Sequence, residues 1–176
     1  ADPDGTADQL RNAAVRDMET ERVARGYFAL VEAVYRLASG RPLAELDRDT
    51  YDPRPVSRLH GQLLDELRDL TRRAAALQSQ FLAIATDEQI DLAGDPEARG
   101  RAGRVRFYFR MTTCIRRDVE ERAKDGERYN RLVAAGQDDV PETKEALAQR
   151  YANDLLRLSN TVDCSRLVAR SLQSEP

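Results

Sequence analysis

The chain has 176 residues, 41% of them hydrophobic and 34% charged, with nine glycines and no tryptophan. That is enough for one domain around one core, in the balance that long amphipathic helices show. A formal net charge of −3 argues against a general nucleic-acid binder, and the absence of an 18-residue apolar run excludes a membrane-spanning helix within the sequence.

The sequence begins Ala1-Asp2-Pro3 without an initiator methionine and reads as a processed or trimmed chain, a start that removal of a secretion signal would explain. Thr6 and Gln9 form a capping-box pair, and Gly40 followed by Pro42 is a stop, so the first helix is expected over about 7–39. Its second half carries two adjacent apolar stripes, Val23, Tyr27, Leu30, Val34, Leu37 and Ala24, Phe28, Val31, Tyr35, Ala38. A face that broad suits contact with two partner helices. Residues 41–54 mix turn formers with Leu43, Leu46 and Tyr51 and read as a loop with apolar anchors.

A second helix is expected over about 55–93. Leu63, Leu67, Leu70, Ala74, Leu77, Phe81 and Ile84 repeat at alternating four- and three-residue spacing, a heptad seam. After Ile84 the pattern breaks, and Thr86 with Gln89 reads as a capping box that opens a kink or a short helix over 87–93. Gly94-Asp95-Pro96 punctuates the next boundary as C-terminal cap, N-cap and first helical residue. The third helix, about 96–135, continues a seam through Val105, Tyr108, Thr112, Ile115 and Val119. Asp139 and Glu142 open a fourth helix over about 141–172, with Leu147, Tyr151, Leu155, Leu158, Val162 and Ala169 on one face and Cys164, Val168 and Leu172 beside them.

The two cysteines fall symmetrically about the turn between these last helices, Cys114 lying 25 residues before Asp139 and Cys164 25 residues after it. An antiparallel hairpin brings them to one level, and neighbouring helices are close enough for a level pair to bridge. A Cys114–Cys164 disulfide is therefore expected, the competing reading being two buried thiols of an intracellular protein. The predicted architecture is all-α: one domain over 1–176, an elongated antiparallel bundle of four long helices running up-down-up-down, with both termini at one end.

Candidate chemistry is sparse. His60 is the lone histidine, no Glu-x-x-His or CxxCH motif occurs, and no catalytic, metal or cofactor site is expected. Folding the helices as described gathers Tyr27, Phe28, Tyr35, Tyr51, His60, Tyr129 and Tyr151 towards the loop end. This aromatic layer reads as core with its hydroxyls reaching solvent at the tip, or as a ligand or partner site. Arg99, Arg101, Arg104, Arg106 and Arg110 alternate with aromatics early in the third helix. They read as a solvated face or as an interaction patch for an acidic protein, with nucleic acid a poor third.

The expected function is that of a non-enzymatic secreted or cell-surface protein that binds another macromolecule, located outside the cell or on the extracellular or periplasmic face of a membrane. The seams with Cys114 and Cys164 resemble, in architecture, the rod-like coat antigens and receptors of protozoan parasites. The alternatives are an extracytoplasmic four-helix sensor domain binding a small ligand between helices, and an intracellular or effector scaffold with free thiols. Membrane anchoring outside this segment and homodimerisation through exposed seam residues are compatible with each.

Overall fold

A computed structural model describes the backbone of residues 3–40, 53–137 and 143–173, and their side chains except at positions 3–6, 38, 39, 53, 147 and 150. The described residues fold as helices with no strand: α1 (Pro3–Ser39), α2 (Pro53–Gln62), α3 (Leu64–Asp87), α4 (Arg101–Ala134) and α5 (Lys144–Gln173). The expected capping pair Asp139 and Glu142 and the loop anchors Leu43, Leu46 and Tyr51 lie outside the described residues.

Four boundaries differ from the sequence reading. The first helix already includes Thr6, so this residue cannot be its N-cap. The expected 55–93 helix is two helices, because Leu63 (φ −101°, ψ 19°) steps out of helical geometry where α2 leans on α4. That lean is permitted by Gly126: a Cβ there would stand 2.4 Å from the carbonyl oxygen of His60, so any larger residue would push the two backbones apart.

Thr86 and Gln89 end α3 rather than opening a helix. Gln89 is left-handed (φ 56°), its N–H donates to the Thr86 carbonyl, and the Ile90 N–H donates to the Ala85 carbonyl, the paired bonds of a Schellman stop. Gly136 (φ 68°) closes α4 in the same way. The third helix starts at Arg101 instead of 96, since Asp95 Oδ1 accepts the Glu97 N–H at 2.9 Å in a tight turn and the chain reaches Arg101 through Gly100 (φ 91°). At α5, Thr143 Oγ1 caps the Ala146 N–H at 3.1 Å.

The heptad of α3 is buried as expected at Leu67, Leu70, Ala74, Leu77 and Phe81. It packs against α4 with the two chains antiparallel: Arg68 meets Glu127, Gln78 meets Thr113 and Arg116, Phe81 stacks on Tyr108 and Glu88 pairs with Arg101. Each fully buried leucine there contributes about 1.5–3 kcal/mol over an exposed one. Val23, Val31 and Val34 of α1, Val56 of α2, Met111, Ile115 and Val119 of α4 and Leu158 and Val168 of α5 join the same apolar cluster. The first half of α1 stays outside it, with Leu10 and Met18 exposed.

Cys114 and Cys164 are disulfide-bonded, Cα to Cα 5.7 Å, tying α4 to α5. The expected symmetry of the hairpin thus delivers the bridge. It closes a 50-residue separation, worth about 4 kcal/mol in the chain-entropy account.

Candidate functional site

Inside the helices, next to the apolar cluster, lies a group of buried polar side chains centred on Arg122, which is wholly shielded from solvent. Arg122 occupies the seam of α4 one step beyond Val119, where an apolar residue would be ordinary. Its guanidinium donates from Nε to Asp118 Oδ2 at 3.0 Å, from one terminal nitrogen to His60 Nε2 at 2.9 Å, and from the other to the Tyr35 hydroxyl at 3.0 Å and Thr161 Oγ1 at 2.6 Å. One side chain of α4 therefore holds residues of α1, α2 and α5 together.

Asp118 is similarly engaged. It accepts the Tyr27 hydroxyl at 2.7 Å and the Thr161 hydroxyl at 2.9 Å besides its bond to Arg122. A second carboxylate, Asp125, takes Ser57 Oγ at 3.2 Å and His60 Nδ1 at 2.9 Å, with Arg157 and Arg128 each 3.5 Å away. Arg157 also lies 3.5 Å from Asp154.

The protonation of His60 follows from its neighbours. A guanidinium only donates and a carboxylate only accepts, so Nδ1 carries the hydrogen towards Asp125 and Nε2 is the bare acceptor for Arg122. Burial lowers the His60 pKa to about 4, with the Asp125 bond opposing and the Arg122 charge reinforcing the shift. Burial alone would raise Asp125, yet the His60 hydrogen bond and Arg157 hold it well below the usual carboxylate range. Tyr27 is pushed up by burial and by the Asp118 charge, so its hydroxyl remains a donor. Burial works against the Arg122 charge, but Asp118 and the two tyrosines keep it protonated.

The expected aromatic layer is thus partly assembled and of another character. Tyr27, Tyr35 and His60 share one network, but the tyrosine hydroxyls point into the polar core instead of reaching solvent, where Asp118 and Arg122 are their partners. Phe28 packs against the apolar cluster. Tyr129 stands beside Gly61, and Tyr151 is on the exposed side of α5. Tyr51 lies outside the described residues.

The arginine stretch divides between two sides of α4. Arg101 and Arg104 line a cleft of about 710 Å³ beside Phe81 and Tyr108, where Arg101 pairs with Glu88. Arg106 and Arg110 line a groove of about 850 Å³ between α4 and α5, and Arg99 is exposed in the turn before α4. In that groove Arg106 Nε donates to the Asp91 carbonyl at 2.6 Å.

Sequence reasoning missed Asp118, Arg122 and Asp125. The signal was present, since Arg122 continues the three- and four-residue spacing of Val105 through Val119 and a charge on a seam is an anomaly. On α5 the expected Leu158, Cys164 and Val168 are buried, but so are Asp154, Thr161, Ser165 and Ser171, polar positions that the apolar pattern passed over, while Tyr151 of the expected face is exposed. Among the described residues no three His, Cys, Asp or Glu side chains converge as a metal site requires, and no helix is long and apolar enough to cross a membrane.

The chain matches no protein-family model, no curated protein and no solved structure.

Proposed function

We propose that this chain is a non-enzymatic, secreted or surface-displayed helical protein that binds another macromolecule. Its helices make one domain, an up-down-up-down bundle in which α2 and α3 together form the second column. The observation that carries this reading is the state of the polar core. The side chains best suited to acid, base or electrophilic work, His60, Asp118, Arg122 and Asp125, are buried and satisfied by one another, which leaves a substrate no partner among them. Recognition then falls to the outer surface. The groove between α4 and α5 offers large apolar side chains and charges there, Leu156 being 65% exposed on its rim. A bridged cysteine pair suits an oxidising compartment.

A sensor domain is the second reading, supported by the cleft between α1, α3, α4 and α5, whose Phe81–Tyr108 stack is flanked by Arg16 and Arg104.

The binding role is tested by placing a photo-reactive side chain at Leu156 in the protein as its own cells make it, with the same probe at exposed Leu82 of α3 as control. Cross-linking of a macromolecule from position 156 and not from 82, in molecules with both cysteines blocked to alkylation, supports the reading. Equal labelling from both positions, or free thiols in the native protein, rejects it.

A further inference from the structure

The groove between α4 and α5, which lies over the disulfide, has two dissimilar walls. On α4, Arg106, Arg110 and Arg117 follow one another along one side of the helix; on α5, Leu156 and Leu167 face them, with Leu156 largely exposed. The carboxylates of the groove are already engaged: Asp118 with Arg122, Asp163 with Arg166 at 3.7 Å and Glu121 with Lys124 at 3.5 Å. Arg106 donates to a backbone carbonyl, which leaves its charge unneutralised. Among the described residues, none of the three arginines of the α4 wall has a carboxylate within ion-pair range.

A positive wall facing an apolar one, over the roughly 16 Å that eleven helical residues span, has the shape of a slot for one more helix. We propose that this groove docks an acidic amphipathic helix of another protein, its glutamates or aspartates against Arg106, Arg110 and Arg117 and its leucine-type stripe against Leu156 and Leu167. The proposal rests on the binding role above and names the partner's chemistry. An acidic helix is selected over a basic one because the charges left on the groove are guanidinium groups, and arginine pairs carboxylates in a bidentate, directional way.

The test uses two helix-stabilised peptides of roughly 18 residues with the same leucine stripe, one flanked by glutamates and the other by lysines, titrated against the oxidised full chain by fluorescence anisotropy. The acidic peptide is expected to bind roughly tenfold more tightly or better, with the preference shrinking as salt rises. Arg110→Glu with Arg117→Glu removes the preference, and Leu156→Asp removes binding of both; all three positions are exposed, so folding and the disulfide persist in the variants. Equal affinity for the two peptides, no binding, or binding that these substitutions leave unchanged overturns the proposal. If Leu156 cross-links a partner in the native setting while the acidic peptide fails to bind, the binding role stands and the partner class is wrong. Cross-linking to a second copy of this chain instead overturns the proposal in favour of self-association.

Discussion

Two stretches of α4 are packed by opposite chemistry. Met111, Ile115 and Val119 join an apolar cluster with Leu70, Ala74 and Leu77 of α3, where contacts are many and individually small. Asp118, Arg122 and Asp125 meet Tyr27, Tyr35, His60 and Thr161 through a few directional bonds in a buried interior. The first kind of packing tolerates partial loss. The second does not, because removing one member strands the charge of another. We read the polar stretch as the device that fixes register: sliding α1, α2 or α5 by one residue would take Tyr35, His60 or Thr161 away from Arg122.

The contrast is tested most forcefully at Arg122. Arg122→Ala is expected to cost about 3–5 kcal/mol in urea unfolding, since Asp118 is left charged and buried. Replacing both charges together, Arg122→Met with Asp118→Leu, is expected to cost less than the single change; if the double variant is the worse of the two, the charges are not paired as described. In the apolar stretch, Leu77→Ala should lose about 2–5 kcal/mol, and a loss below about half a kcal/mol would remove α3 from the centre of the core.

Reducing the Cys114–Cys164 bridge is expected to cost about 2–4 kcal/mol, read as a drop in melting temperature with reductant. An unchanged transition would mean the α4–α5 hairpin holds without it. The smallest effect is on pH dependence. The folded pKa of His60 lies below its unfolded value, so the unfolded chain binds the extra proton between the two, and stability falls as pH drops from about 6.5 towards 4. Between pH 7 and 5 the loss is about 2 kcal/mol by linkage, with Asp125 adding to it only at lower pH. His60→Gln should flatten that slope, and a slope that survives the substitution would have to come from other groups.

How much of this was legible in the sequence varied with the chemistry. The α3 heptad and the disulfide register were readable because apolar spacing and chain symmetry are local, additive signals. The stop at Gly136 was readable because glycine is the usual left-handed cap; the stop at Gln89 was not, since a non-glycine residue takes the left-handed position there. The break at Leu63 depends on Gly126, more than sixty residues away, and no local rule announces it. The polar core was hidden for a related reason. Thr161 looks like part of the solvated side of α5 until Arg122 and Asp118 are known to meet it, so the apolar pattern passed over it. Charged residues on a seam are better treated as a question about their partners than as noise.

The most direct test of the sealed polar core uses the fact that the chain has one histidine. Nitrogen-15 NMR of selectively labelled protein reads both ring nitrogens of His60 through a pH titration. The account predicts a neutral ring at pH 7 with the proton on Nδ1, a bare Nε2, and titration near pH 4. A proton on Nε2 at neutral pH, or titration near 6.5, would contradict the placement of His60 between Asp125 and Arg122.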